Sequence, residues 1–377
     1  MIRTALFFLL LIIQTLQVST AQDRMRMRDY GIKTGILTPG KWNAITDVEG
    51  VSVGHHTLIK GDSIHTGVTV IMPHSEDLYR RRVPAAVYVG NGYGKALGFT
   101  QVRELGEIET PIGLTNTLSI HSAANGIADY MLTREGNENI RSINPVVGET
   151  NDGYLNDIRK RVVNKEHIYR AINDAASGPV AEGNVGAGAG TRALGFKGGI
   201  GTSSRVLPKR YGSYTVGVLV QSNFGGILTI DGVPVGEEMK NHYLSGQVPY
   251  DVDGSCMIIV ATDAPLSDRN LERLAKRAFL GIARVGGFAS NGSGDYVIAF
   301  SNNKQVLRGR SENGLREITD LDNNALTPLF LAAVEATEEA ILNSLFMAET
   351  VEGHRGSQEA LPVDEVLGIM RKYGAIE

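Results

Sequence analysis

The sequence predicts an α+β protein in which stacked β-sheets are flanked by helices. Segments with strand character and segments with helical periodicity occur in runs along the chain, which disfavours a doubly wound parallel sheet. No low-complexity linker or internal repeat divides the 377 residues, so a single domain is the simplest organisation. With 42% hydrophobic and 21% charged residues, the chain has the composition of a globular protein with a large core.

The predicted strands are short apolar or β-branched runs bounded by Gly, Pro and Asn. The clearest is residues 257–261, a continuous apolar run typical of a strand that is buried on both faces. Asp231 and Gly232 supply a hairpin-type turn. The other predicted strands are residues 51–53, 68–72, 85–89, 206–208, 214–221, 226–230 and 296–301.

Three helices are predicted from apolar residues at helical spacing. The first spans residues 119–133, and the second follows Ser267, a candidate N-cap, and ends at Gly286. The third, residues 328–347, carries apolar side chains around much of its circumference. Such a pattern predicts a helix buried between layers.

The N-terminus has the features of a secretory signal peptide. Arg3 precedes a short apolar run, and the small residues Ser19-Thr20-Ala21 follow it. The run is too short for a comfortable membrane span, and no later segment approaches ~18 uninterrupted apolar residues. We therefore expect residues 1–21 to be removed and residues 22–377 to form a single catalytic domain, secreted or periplasmic and free of the membrane.

Charge and cysteine content exclude several classes of protein. The formal net charge is −4, which argues against a nucleic-acid-binding surface. Cys256 is the only cysteine, so no intramolecular disulfide is available and stability must come from the core and from any oligomerisation.

The residues with the most chemical information are Gly254 and Ser255, which stand directly before the predicted buried strand. The Ser255 hydroxyl is placed to attack the Gly254 carbonyl in an N-to-O acyl shift, and hydrolysis of the ester would leave Ser255 as a new N-terminus. Its α-amine, with an ordinary pKa of roughly 7.7 to 8.0, is then able to act as general base toward its own hydroxyl. Taken alone, Asp-Gly-Ser is also ordinary turn chemistry.

Other catalytic layouts are less well supported. The sequence contains no His-Glu-x-x-His zinc motif. The glycine-rich run 183–201 lacks the Lys-Ser/Thr ending of a phosphate-binding loop. Cys256 would point to the strand face opposite Ser255, where a buried free cysteine behaves as a small hydrophobe. His55, His56 and His65 are interpreted as strand-end or turn residues.

Five segments in order resemble those of the DmpA-type aminopeptidases of peptidase family S58, which comprise L-aminopeptidase/D-esterase and β-aminopeptidase enzymes. The resemblance runs from about residue 30 to residue 375. The segments are residues 43–55 (NAITDVEGVSVGH), 148–157 (GETNDGYLND), 183–191 (GNVGAGAGT), 197–205 (KGGIGTSSR) and 253–255 (DGS).

This resemblance implies a four-layer αββα sandwich and self-cleavage before the serine. Residues 22–254 would form an α chain and residues 255–377 a β chain, and the resulting heterodimers would assemble into larger homo-oligomers. No metal or organic cofactor is implied.

By position, the resemblance implies that Ser255 is the nucleophile and that Asn223 stabilises the oxyanion. Ser293 and Asp295 match the serine and the acidic residue near the nucleophile. At the acidic position β-aminopeptidases typically have Glu. From the residues alone, Asn223 also suits a β-turn or bulge, and the Ser293 segment also suits a tight hairpin loop.

Glu149 and Tyr154 lie in a second polar segment. A partly buried carboxylate recognises a substrate ammonium by charge-assisted hydrogen bonds, so Glu149 is the candidate for that role. Tyr154 is the candidate donor to the substrate carbonyl. The run Asn151-Asp152-Gly153 between them is also a strong turn signal.

The expected function is release of a small N-terminal residue, L-, D- or β-amino, from peptides, amides or esters through a Ser255 acyl-enzyme. Two alternatives remain. An acyltransferase of the ornithine-acetyltransferase type also self-cleaves, but such enzymes use Thr as nucleophile. A non-catalytic extracytoplasmic binding protein would keep the fold without cleavage.

Overall fold

A computed structural model describes residues 24–246, 254–311 and 313–377. The predicted signal peptide and Asp253 lie outside the described residues. The strands are β1 (Ser52–Lys60), β2 (Ile64–Met72), β3 (Val83–Gly92), β4 (Ala96–Leu97), β5 (Glu107–Ile108), β6 (Ile112–Asn116), β7 (Val146–Thr150), β8 (Arg192–Ala193), β9 (Phe196–Lys197), β10 (Ile200–Val206), β11 (Thr215–Asn223), β12 (Ser255–Thr262), β13 (Gly294–Ser301), β14 (Val351–Gly353) and β15 (Gly356–Gln358). The helices are α1 (Phe99–Leu105), α2 (Ile120–Leu132), α3 (Lys165–Asn173), α4 (Val235–Glu238), α5 (Asp268–Ala278), α6 (Leu280–Arg284), α7 (Thr327–Phe346) and α8 (Val363–Lys372).

Most strands belong to two sheets that stack face to face. One sheet has the order β1-β2-β6-β7-β4 and the other the order β10-β11-β12-β13-β3-β5. A buried apolar cluster that includes Leu114 from the first sheet and Met257 from the second fills the space between them. The two sheets therefore form the centre of the molecule.

Helices cover the outer faces of both sheets. Helices α2 and α3 pack on β6, β1 and β2, whereas α7 and α5 pack on β10, β11 and β3. Each helical layer has its own apolar cluster against its sheet. The resulting order of helix, sheet, sheet and helix confirms the predicted four-layer αββα sandwich.

The predictions for the elements around β12 are largely confirmed. Every residue of β12 is buried, with neighbours on both edges. The Ser267 side chain accepts a hydrogen bond from the Asn270 N–H at the start of α5, and α7 coincides with the predicted long buried helix. The helix that follows Ser267 is interrupted at Phe279, where α5 ends before α6 begins.

Two strand predictions are wrong. Residues 226–230 form isolated β-bridges and no strand. The Ile227 and Thr229 N–H groups bond to the carbonyls of residues 286 and 285, whereas the Ile230 N–H bonds to that of Val233. Residues 207–208 lie beyond the end of β10. The strand begins earlier than predicted, because its polar residues Thr202 to Ser204 do not have the apolar pattern of a strand. The predicted turn at Asp231 and Gly232 is present, since both residues have positive φ.

No helix in the described part of the chain is long and apolar enough to cross a membrane.

Candidate active site

The ends of three neighbouring strands meet at one edge of the six-stranded sheet. Asn223, the last residue of β11, pairs with Ser255, the first residue of β12, and Ser255 pairs with Gly294, the first residue of β13. Because β12 and β13 are parallel, both begin at this edge, where the antiparallel β11 ends. The register thus brings together three segments that are far apart in sequence.

Ser255 is buried, and its hydroxyl lies against the peptide bond that precedes it. The Oγ atom donates a hydrogen bond of 2.6 Å to the carbonyl oxygen of Gly254. The backbone N–H of Gly294 donates another, of 3.0 Å, to the same oxygen. A fixed N–H in this position stabilises negative charge on the oxygen when a nucleophile attacks the carbonyl.

Two glycines leave the space that this arrangement needs. A Cβ atom on Gly254 would lie 1.9 Å from the carbonyl oxygen of Asn223. A Cβ atom on Gly294 would lie 2.6 Å from the backbone of Gly94 and 3.1 Å from Ser255 Oγ. Any larger residue at either position must shift the backbone or the hydroxyl.

Cys256 is separated from this hydroxyl by the strand. It is fully buried in the apolar cluster beneath α5 and α7, whereas Met257 belongs to the cluster between the sheets. Burial raises the pKa of the Cys256 thiol well above its ordinary value, so a thiolate nucleophile is disfavoured.

Ser293 and Asp295 form a buried hydrogen-bonded pair on either side of Gly294. The Ser293 Oγ donates to Asp295 Oδ1 at 2.8 Å. The other carboxylate oxygen, Oδ2, is buried and has no hydrogen-bond partner among the described residues. Burial raises the pKa of Asp295 to about 6, against the opposing effects of the Ser293 hydroxyl and the Cys256 N–H. This carboxyl group is therefore suited to exchange a proton near neutral pH.

The side-chain amide of Asn223 is held in one orientation. Its Oδ1 accepts a hydrogen bond of 2.9 Å from the Arg192 N–H, and its Nδ2 donates one of 3.2 Å to the Asn151 carbonyl. The two contacts fix which end of the amide carries the N–H groups. An N–H that is fixed beside a nucleophile is the arrangement required of an oxyanion donor.

Glu149, the next-to-last residue of β7, carries a carboxylate that is almost fully buried. Its Oε1 accepts a hydrogen bond of 2.8 Å from the Lys95 N–H, and its Oε2 accepts one from the Thr117 hydroxyl. Burial raises the pKa of Glu149, and these two donors oppose that effect. An ammonium group from a substrate would favour the ionised form further.

These residues surround one cavity of about 660 Å³, a size typical of small-ligand sites. Ser255, Gly254, Asn223, Glu149 and Tyr154 line it directly. Ser293 and Asp295 do not line the cavity, but Gly292 of the same segment does. All seven predicted site residues therefore fall in or directly behind one cleft.

Several residues of the cleft were not identified from the sequence. Lys95 and Thr117 hold Glu149, and the cationic side chains of Arg192 and Arg355 line the cleft. The Arg192 guanidinium carbon lies 4.0 Å from the centre of the Tyr154 ring. These residues come from separate loops and short strands, and no local pattern in the sequence marks them.

Residues 43–359 match the sequence model of peptidase family S58. The chain belongs to this family. It is 41% identical to beta-peptidyl aminopeptidase BapA of Sphingosinicella microcystinivorans over 372 residues, which cover 92% of each chain.

Solved structures of the family resemble the chain throughout. A beta-aminopeptidase from Burkholderia sp. has 41% identity and a TM-score of 0.85, with coverage of 93% of this chain and 99% of that one. The L-aminopeptidase D-Ala-esterase/amidase from Ochrobactrum anthropi, described as a variant of the Ntn hydrolase fold, has 36% identity and a TM-score of 0.86. The alignment with the Ochrobactrum protein covers 94% of this chain and 100% of that protein.

Family membership confirms the resemblance predicted from the five motifs. The chain is an aminopeptidase hydrolase of the serine, N-terminal-nucleophile type. This class favours hydrolysis over the two alternatives, an acetyltransferase and a non-catalytic binding protein.

Proposed function

We propose that the protein is an exported aminopeptidase that activates itself by cleaving the bond between Gly254 and Ser255. The observation that carries the proposal is the pair of hydrogen bonds on the Gly254 carbonyl oxygen, from Ser255 Oγ at 2.6 Å and from the Gly294 N–H at 3.0 Å. The nucleophile and an oxyanion donor thus flank the bond to be cut.

In this proposal, Ser255 Oγ attacks the Gly254 carbonyl carbon, the hydroxyl proton passes to the Ser255 nitrogen, and the C–N bond then breaks. The acyl group moves from the Ser255 nitrogen to its oxygen, and water hydrolyses the resulting ester. Gly254 becomes a carboxylate, and the Ser255 nitrogen becomes a free α-amine. The products are an α chain of residues 22–254 and a β chain of residues 255–377.

Peptide hydrolysis would then use the same hydroxyl. The α-amine of Ser255 accepts the hydroxyl proton as Oγ attacks the substrate carbonyl. Asn223 Nδ2 donates to the oxyanion. The α-amine proton passes to the leaving amine, and water later hydrolyses the acyl-enzyme.

The other cleft residues would bind the substrate and stabilise the new N-terminus. Asp295, whose Oδ2 has no hydrogen-bond partner in the described part of the chain, would accept a hydrogen bond from the Ser255 α-ammonium, and Ser293 would orient that group. Glu149 would bind the substrate ammonium, and Tyr154 would donate its hydroxyl to the substrate.

Intact-mass measurement of the wild type and two variants tests the proposal. We expect the wild type to separate into two chains whose boundary sequences as Ser255, and S255A to remain one chain without amidase activity. C256A is the matched control, because Cys256 is adjacent but faces the helices. A wild type that stays continuous yet hydrolyses peptides contradicts the proposal. Added hydroxylamine distinguishes hydrolysis from acyl transfer, since a transferase would give mostly the hydroxamate.

Export is tested separately. When the whole sequence is expressed, we expect the α chain to be recovered outside the cytoplasm with residue 22 as its first residue. Recovery of residues 1–21 on the mature protein would contradict cleavage of a signal peptide.

A further inference from the structure

The two walls of the active-site cleft differ in charge. Among the described lining residues, Glu149 lies beside Lys95 on one wall, so that a carboxylate and an ammonium offset each other there, whereas Arg192 and Arg355 lie on the wall that includes Tyr154. We propose that the cleft selects short peptides with a free C-terminal carboxylate, and that Arg355 binds that carboxylate. This inference rests on the proposed function.

The wall that carries Glu149 is built around the segment at Gly94 and Lys95. The Lys95 N–H donates to Glu149, and a Cβ atom on Gly94 would lie 3.3 Å from Glu149 Oε1. The same glycine packs against Gly294, which adjoins Ser255 Oγ. Glu149 is therefore a close neighbour of the nucleophile on this side.

The positive wall begins on the other side of Ser255. Asn223, paired with Ser255 across the sheet, accepts the hydrogen bond from the Arg192 N–H. The Arg192 guanidinium stacks on the ring of Tyr154. The order across the cleft is thus carboxylate, nucleophile, oxyanion donor and guanidinium.

Arg355 is held at this wall by its backbone. It lies at the tip of the β14–β15 hairpin, and its N–H donates to the Tyr154 carbonyl at 3.0 Å. The His354 N–H donates to the Leu155 carbonyl at 2.9 Å. A Cβ atom on Gly356 would lie 2.6 Å from the Tyr154 hydroxyl. The hairpin therefore fixes where the Arg355 side chain enters the cleft.

The Arg355 side chain is available to a ligand. The residue is exposed and lines the cleft, and it makes no salt bridge with any other residue that the structure describes. A guanidinium presents a planar fork of donors that matches a carboxylate. A small zwitterionic peptide would place its ammonium on Glu149, its scissile carbonyl at Ser255 and Asn223, and its carboxylate on Arg355.

The test compares alanyl-glycine with alanyl-glycinamide, and their β-alanyl counterparts, in the wild type, R355Q and R355K. The readout is the ratio of kcat/KM for the acid to kcat/KM for the amide. We expect the wild type to favour the acid and R355Q to lower that ratio about tenfold, as for a partly exposed charged hydrogen bond. R355K, which keeps a point charge, should retain part of the preference.

R210Q is the matched control, because Arg210 is also exposed but does not line the cleft. An R355Q ratio equal to the wild-type ratio, or a wild type without preference for the acid, overturns the role of Arg355 while leaving the proposed aminopeptidase intact. A wild type that hydrolyses neither acid nor amide contradicts both.

Discussion

Two clusters of buried charge in the described residues differ in how completely their polar atoms are paired. In the first, Arg205 binds Glu335 at 3.1 Å and Glu339 at 2.7 Å, and Arg28 binds Glu339 at 2.6 Å. This arginine–glutamate cluster joins β10 to α7. In the second, at the nucleophile, Asp295 is hydrogen-bonded through one oxygen only.

The pKa values of the carboxyl groups in the two clusters differ for this reason. Burial alone raises the pKa of Glu339, but the guanidinium groups of Arg28 and Arg205 outweigh burial and leave that pKa below its ordinary value. At Asp295 no cation among the described residues offsets burial, and the pKa of this carboxyl group rises to about 6. A paired cluster holds the layers together, whereas an unpaired carboxyl group is left ready to receive a proton or an ammonium.

Removal of Arg205 should have the largest effect on stability. R205M leaves the buried carboxylate of Glu335 without its cation, and loss of one partner from a buried ion pair costs about 3–5 kcal/mol. We expect urea denaturation to show a loss of that size in the free energy of unfolding. R141M replaces an exposed arginine and should change it by less than about 0.5 kcal/mol. Equal losses in both variants would show that the cluster has no special structural role.

Removal of the Asn223 amide should instead affect catalysis. We expect N223A to lower kcat by about 10²–10³, the effect of losing one oxyanion donor. Self-cleavage should still reach completion, because the Gly254 carbonyl receives its N–H from Gly294. Gel electrophoresis and steady-state kinetics measure the two steps, with exposed Asn173 replaced by Ala as control. An N223A chain that remains uncleaved would place Asn223 in both steps.

The sequence predicted best what depends on local apolar pattern. The continuous run at β12 and the helical spacing of α7 were both recognised. The strand β10 was mostly missed because its residues are polar, although they are buried: Ser203 donates to the Ala336 carbonyl in α7. Such compensation by hydrogen bonds between layers is invisible to a hydrophobic pattern.

The residues of the candidate site also differ in whether a local sequence pattern predicts them. Gly254 and Ser255 are adjacent in sequence and stand before an obvious strand, so their chemistry was readable from the residues. The resemblance to the family predicts Asn223, Ser293 and Asp295. Strand register places Asn223 beside Ser255, and it places the segment of Ser293 and Asp295 on the other side of Ser255. The contacts of Thr117 with Glu149 and of Arg355 with the Tyr154 backbone are long-range, and they follow only from the folded chain.

Replacement of Asp295 should give the smallest but most specific change, in the pH profile. Its pKa of about 6 lies above the ordinary value of about 3.9, so the carboxyl group gains a proton as pH falls through 6. In the proposed cleaved chain, the Ser255 α-ammonium would lower the pKa of Asp295, so pH 6 is the upper limit for its titration. In the wild type, log kcat/KM should fall with slope one as the α-amine is protonated, then steepen toward two at or below pH 6. D295N should keep slope one throughout, whereas D295E should retain the steeper region.

The folded fraction, followed by circular dichroism at each pH, separates this effect from acid unfolding. A D295N profile that steepens like that of the wild type would assign the second proton to another group, and Asp295 would then resemble the arginine–glutamate cluster in having a structural role.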